Sequence, residues 1–222
     1  MNLNISFKNF KKTHISGNHQ IIFSSKKCHD YNRVENLFRF LLIEKNSFIF
    51  ESVEKGKIRG RYTIIGLNPD KIYNIKDNLI TINSNGIKKK VKDKPLLFLN
   101  NLIKKFNIKI PKTLPSMASM LVGYFSYDII RYIEKIPNKC KDDLKIPDVR
   151  LSRPTNLIIY DNLKKKIYYI ENIYNDQKIK NYYERYNEIK RKFSLFQNYE
   201  YIKVPEKFTF KKNKYKIKSN IS

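Results

Sequence analysis

The sequence predicts an α+β fold in which hairpin-rich, sandwich-like antiparallel β-sheets are flanked by amphipathic helices. Apolar residues recur with helical spacing in three separate stretches, at 34–41, 95–106 and 179–193. The strand-like runs between them are short and joined by turns rather than by crossover helices, which favours antiparallel pairing over a parallel sheet. Asn85-Gly86 is the strongest turn signal in the chain, because both residues tolerate positive φ.

The amino-terminal elements are a short strand and a helix. Periodicity before residue 30 is weak, and only 21–23 indicates a strand. The helix that follows is predicted from apolar residues at i, i+3, i+4 and i+7, which are Val34, Leu37, Phe38 and Leu41. Asp30 or Asn32 is expected to cap its first turn.

Residues 47–92 are predicted to form an antiparallel meander. Its strands are short and rich in β-branched and aromatic residues, at 47–53, 61–66, 72–75 and 79–82. The Asn85-Gly86 turn then leads into a last strand that ends near residue 92.

The next helix is expected to begin near Asp93, with Pro95 in its first turn. Its buried stripe is predicted to be Leu99, Leu102, Ile103 and Phe106. After it, 117–125 indicates a strand, and 127–133 indicates a short helix.

The last predicted elements are a hairpin and a long amphipathic helix. The hairpin joins 157–160 to 166–170 across Asp161-Asn162. Asp176 is expected to cap the helix, and plain core packing explains its apolar stripe of Ile179, Tyr182, Tyr186, Ile189 and Phe193.

Composition excludes several classes of protein. Hydrophobic residues make up 41% of the 222, enough to build a core. No run of about 18 apolar residues indicates a membrane span, and no signal peptide is evident, so a cytoplasmic location is expected. Two cysteines, Cys28 and Cys140, and three scattered histidines have no metal-binding spacing.

The net charge of +26 leaves a nucleic-acid-binding protein as an alternative. The basic residues are spread along the chain rather than concentrated, and no zinc-finger, basic-zipper or aromatic RNA-binding pattern is present. We therefore expect no nucleic-acid partner and regard the charge as a solvated surface. A salt titration of DNA binding separates the two interpretations.

The sequence contains no recognisable catalytic motif. It has no Gly-x-Gly-x-x-Gly after a strand, no Walker loop and no Gly-x-Ser-x-Gly elbow. Asp128, Asp142 and Asp143 have no partner that the sequence identifies, so no catalytic residue, cofactor or metal site is predicted in this chain.

Three segments together resemble the anthranilate synthase component I family of chorismate-utilising enzymes. The first runs from Phe48 to Asp70 and includes Glu51-Ser52-Val53-Glu54 and Arg59-Gly60-Arg61. The second is Leu114-Pro115-Ser116-Met117-Ala118 with Val122-Gly123-Tyr124-Phe125-Ser126-Tyr127-Asp128. The third joins Ile146-Pro147-Asp148, Arg153-Pro154-Thr155 and Tyr160-Asp161-Asn162. Their order and spacing agree over about residues 30–172.

The resemblance implies an amino-terminal, regulatory part of an enzyme that converts chorismate and glutamine-derived ammonia to anthranilate and pyruvate in tryptophan biosynthesis. Residues 1–200 would be the regulatory domain, and 201–222 a linker and the start of the chorismate-binding domain. The chain would then be a fragment without the catalytic half. The complete enzyme is expected to use Mg²⁺ and to pair with a glutamine amidotransferase subunit. Aminodeoxychorismate synthase component I, of the folate branch, is an alternative that shares a looser version of these motifs.

The same resemblance implies a feedback site for L-tryptophan at Phe50, Glu51, Ser52 and Arg61. Glu51 would meet the ammonium group, Ser52 would hydrogen-bond, and Arg61 would supply a basic group. Glu51 and Ser52 are neighbours on a predicted strand and should point to opposite faces. Both can line one pocket only at a strand end, a bulge or a sheet edge.

Ser126 stands where the family usually has glycine, which argues against a strained turn at this position. Tyr124, Phe125 and Tyr127 are expected to pack against the missing half, and no chemistry is assigned to them. Part of the tryptophan pocket is also expected to come from that half, so this chain alone should bind L-tryptophan weakly or not at all.

Overall fold

The computed structural model describes residues 3–42, 45–51, 60–106, 108–137 and 141–199. In chain order its elements are α1 (Phe7–Ile15), β1 (Gln20–Lys27), α2 (Tyr31–Leu41), β2 (Phe48–Glu51), β3 (Tyr62–Lys76), β4 (Leu79–Ser84), β5 (Ile87–Lys92), α3 (Pro95–Lys105), β6 (Val122–Phe125), a 3-10 helix (Tyr127–Tyr132), β7 (Val149–Asp161), β8 (Lys166–Ile173) and α4 (Tyr182–Tyr199).

The described strands form one antiparallel sheet of eight, in the order β1-β8-β7-β3-β4-β5. Strand β2 pairs with β3, and β6 pairs with β7. The α+β class and the antiparallel hairpins are therefore confirmed. The strands join in a single sheet, because the long strands β3 and β7 pair along their lengths and link all the hairpins.

Both faces of the central strands are covered. Helices α1, α2 and α4 pack on one face, over a core that includes Ile22, Leu37, Ile65, Ile158, Tyr169 and Phe193. The segment 108–120 covers the other face, where Leu114 and Ala118 meet Ile64, Leu157, Ile159, Tyr168 and Ile170. Helix α3 and the 3-10 helix pack at the far end of β3, β4 and β7. Burial on both faces explains why 157–160 of β7 and 167–170 of β8 are apolar without alternation.

Most predicted helices and turns are confirmed. The apolar residues of α2 are buried, and the Asp30 carboxylate accepts from the Asn32 amide at 3.0 Å as its cap. Asn85 and Gly86 have φ of 48° and 91°, as the turn between β4 and β5 requires. Ser126 is extended, with φ of −72°, so this position needs no glycine.

Three expectations about the elements were wrong. Asp176 does not cap α4, because Asn181 accepts the amides of Tyr183 and Glu184 at 3.1 Å. The strand expected over 117–125 is confined to β6, since Pro115 and Ala118 form a turn before it. In α3, Leu99 is buried whereas Ile103 is largely exposed. Helix α1 was not predicted at all.

Two further observations concern membrane-spanning helices and the cysteines. No helix in the described ranges is long and apolar enough to cross a membrane. Cys28 is buried, and its thiol donates to the carbonyl of Asp30. Cys140 lies outside the described residues.

Candidate effector-binding site

Glu51 is the last residue of strand β2, which has four residues. It pairs with β3, where Glu51 lies opposite Thr63. The Glu51 side chain is exposed, and a strand end is one of the places where consecutive residues can line one pocket. Ser52, the next predicted site residue, lies outside the described residues.

Tyr31 of helix α2 contacts the Glu51 carboxylate. Tyr31 is the first residue of α2, and its hydroxyl donates a hydrogen bond to Oε1 of Glu51. The Tyr31 ring lies 5.7 Å from the ring of Tyr160 on β7. Burial, together with the hydrogen bond and charge of Glu51, raises the pKa of Tyr31 to about 12. The hydroxyl is therefore a permanent donor near neutral pH.

Phe50 supplies an exposed aromatic surface beside this carboxylate. Its side chain is 49% exposed, and its ring centroid lies 4.9 Å from that of Phe48. Phe48 packs against the core on the face covered by 108–120, directly over Gly66 of β3. Phe50 and Glu51 thus occupy the two faces of the end of β2, as strand alternation requires.

Arg61 is engaged by a carboxylate of the chain itself. Its Nε and Nη2 donate to the two oxygens of Asp161 at 3.1 and 2.8 Å. Its guanidinium lies 4.7 Å from the ring centroid of Tyr62, on the face away from α2. Burial opposes ionisation of Asp161, but the bonds from Arg61 and the Lys164 amide lower its pKa overall. The role of Arg61 toward an effector stays a prediction.

Glu51 and two residues that sequence reasoning missed form a row across three strands. Glu51 of β2 lies opposite Thr63 of β3, which in turn lies opposite Tyr160 of β7. Tyr31 contacts both ends of this row, through its hydroxyl and its ring. The sequence signal for Tyr31 is only its position directly after the cap Asp30.

The other buried charged side chains in the described ranges form ion pairs, and we assign them a structural rather than a chemical role. Arg153 binds both Asp70 and Asp176, and Glu171, which is fully buried, accepts from Asn156 and Arg185. Such paired groups are ordinary structural features. No three His, Cys, Asp or Glu side chains in the described ranges are grouped so that they could hold a metal ion.

Comparison with known proteins decides the family. A family model described as chorismate binding enzyme matches residues 45–222. The chain belongs to this family. The match extends across residue 200, where the boundary between a regulatory and a chorismate-binding part is expected.

Several relatives of this chain are anthranilate synthases. Anthranilate synthase component 1 of Pseudomonas aeruginosa is 31% identical over 79% of this chain and 36% of its own length. The Cereibacter sphaeroides protein of the same name is 30% identical over 73% of this chain and 33% of its own. Anthranilate synthase alpha subunit 2 of Arabidopsis thaliana is 29% identical over 91% of this chain and 35% of its own. The chain spans about a third of the length of these relatives.

A solved structure supports the fold. Anthranilate synthase component I from Streptococcus pneumoniae TIGR4 superposes with a TM-score of 0.51 at 20% identity, over 72% of this chain and 33% of that one. The chain is therefore an anthranilate synthase component I-like member of the chorismate-binding family, as its motifs predicted.

Proposed function

We propose that this chain is the tryptophan-sensing part of an anthranilate synthase component I. The complete enzyme would convert chorismate and glutamine-derived ammonia to anthranilate and pyruvate in the cytoplasm, together with a glutamine amidotransferase subunit. The similarity to several anthranilate synthase chains supports this assignment. The observation that carries the sensing role is the exposed carboxylate of Glu51 at the end of β2.

The chemistry at this strand end suits a free aromatic amino acid. A carboxylate such as Glu51 meets the ammonium group. The exposed ring of Phe50, on the opposite face of β2, offers an apolar surface for the indole of a ligand that extends around the strand end. Arg61 is proposed for the ligand carboxylate, which would have to share the guanidinium with Asp161. Ser52 is proposed as a further hydrogen-bonding group.

Feedback would work through linkage. L-Tryptophan can lower activity only if it binds the inactive arrangement of the enzyme more tightly than the active one. The Glu51 strand is suited to such coupling because it is short, pairs only with β3 in the described sheet, and is joined to α2 by the hydrogen bond between Glu51 and Tyr31.

The absence of tryptophan from this chain permits a direct binding test. When the red edge of the indole band is excited, fluorescence anisotropy reports L-tryptophan alone while the protein is titrated. We expect weak saturable binding, and Glu51→Gln should weaken it by about tenfold, the loss typical of a charge-assisted hydrogen bond.

The matched control is Glu134→Gln, which neutralises an exposed carboxylate in the segment after the 3-10 helix. It should bind L-tryptophan as the unmodified chain does. Equal affinities for the unmodified chain and Glu51→Gln would refute the proposed sensing role.

A further inference from the structure

We infer that Tyr31 is a positioning residue for the effector site, which holds the Glu51 carboxylate ready for the ligand ammonium. The inference rests on the proposed function and extends it to a residue outside the motifs that suggested that function. Tyr31 lies 20 residues before Glu51 and reaches it only because α2 packs on this face of the sheet.

The contacts of Tyr31 make it a rigid support. Its ring lies against Tyr160, which is fully buried and whose own hydroxyl donates to the carbonyl of Cys28 at 3.3 Å. Asp30 caps the helix turn that begins at Tyr31. The ring of Tyr31, 36% exposed, therefore contacts the core on one side, and its place at the start of α2 directs the hydroxyl to Glu51.

Glu51 needs such support because it is exposed at a strand end. A free glutamate side chain loses rotamer entropy when it is ordered. The hydrogen bond from Tyr31 orders it before a ligand arrives, and preorganisation of this kind strengthens binding.

The hydrogen bond leaves the carboxylate able to bind a cation. An ionised carboxylate has about four acceptor positions, and Tyr31 occupies one of them, on Oε1. Oε2 and the remaining position on Oε1 can accept from an ammonium group. Thr63 lies opposite Glu51 in the register and so belongs to the same row.

The test compares two ligands on the full chain by the same anisotropy titration. L-Tryptophan carries the ammonium group, and indole-3-propionate has the same ring and carboxylate without it. Tyr31→Phe keeps the ring against Tyr160 and removes only the hydroxyl. We expect it to weaken L-tryptophan by about tenfold and to leave indole-3-propionate within about twofold.

Two controls make the result specific. Tyr124→Phe removes an exposed hydroxyl on β6 and should change neither affinity. In a double-mutant cycle, Tyr31→Phe should have little further effect on L-tryptophan once Glu51 is glutamine, because the two residues act as one unit.

The outcomes separate this inference from the proposed function. If the unmodified chain prefers L-tryptophan but Tyr31→Phe binds it unchanged or more tightly, the positioning role is overturned alone. If Tyr31→Phe loses equal affinity for L-tryptophan and for indole-3-propionate, the positioning role is also overturned, because Tyr31 would then have a general structural role. If the unmodified chain binds no L-tryptophan, or binds both ligands alike, the proposed function fails and the positioning role fails with it.

Discussion

The guanidinium of Arg153 lies side-on against the carboxylate of Asp70, with Nε 2.8 Å from Oδ1 and Nη2 2.7 Å from Oδ2. Both side chains are less than a tenth exposed. Asp70 is the extra residue of β3 where its register with β7 shifts. The pair therefore joins the two longest strands at their one irregular point.

Removal of this buried charge pair should be strongly destabilising. We predict that Asp70→Asn lowers the free energy of unfolding by about 3 kcal/mol, because Arg153 is left buried with less compensation. Urea unfolding measures the change. Glu35→Gln removes an exposed pair with Arg39 on α2 and should cost less than about 1 kcal/mol. Equal losses of unfolding free energy in Asp70→Asn and Glu35→Gln would show that burial does not increase the contribution of the Asp70 pair to stability.

Ionisation of Asp176 should make the free energy of unfolding depend on pH in the acid range. Burial opposes its ionisation, but hydrogen bonds from Arg153 and Lys71 lower its pKa from 3.8 to about 2. A depressed carboxyl pKa contributes stability that is complete above the ordinary value and is lost as the pH falls through the folded value. Acid unfolding of Asp176→Asn should therefore show a smaller loss of stability between pH 3.8 and about 2. An unchanged pH profile would contradict the assignment.

Gly123 should be intolerant of any side chain. A Cβ at this position would lie 1.8 Å from the carbonyl oxygen of Arg150, on the paired strand β7. The Arg150 backbone cannot move aside as a side chain can. Gly123→Ala should therefore lower the free energy of unfolding by about 2 kcal/mol or more. Gly66→Ala is the matched comparison, because its Cβ would meet the ring of Phe48 instead. Thermal unfolding that ranks Gly66→Ala as the more damaging change would refute this account.

The lysines of β5 should keep the sheet edge from pairing with other chains. β5 ends the strand order, and Lys88 and Lys90 are exposed on it. Charged edge strands oppose strand addition. Replacing both with valine should cause concentration-dependent association in sedimentation experiments. The control replaces exposed Lys8 and Lys11 of α1 with valine, which changes net charge equally and should leave the chain dispersed.

Local patterns predicted the parts of the fold that depend on neighbouring residues. The helical spacing of Val34, Leu37 and Phe38 identified α2, and Asn85-Gly86 identified the turn after β4. Helix α1 was missed because only Phe10 and His14 are buried on it, too few for a periodic signal. Asp176 was taken for a helix cap because the sequence cannot show that Arg153 binds it instead.

The candidate site was harder to predict from the sequence than the fold was. Glu51 and Phe50 were selected by resemblance alone, since nothing in their spacing distinguishes them from other strand residues. Tyr31 could not be selected, because its contact with Glu51 exists only after α2 docks on the sheet. Likewise, the pairing of Arg61 with Asp161 joins residues that are 100 positions apart.

The location of bound L-tryptophan tests the central claim most directly. Amide chemical shifts of the isotope-labelled chain, followed as L-tryptophan is added, map the site residue by residue. The account predicts that saturable shifts centre on Tyr31, Glu51 and Thr63. Shifts centred instead on the cleft of about 510 Å³ beside Phe106 and Ser119, with none at Glu51, would contradict it.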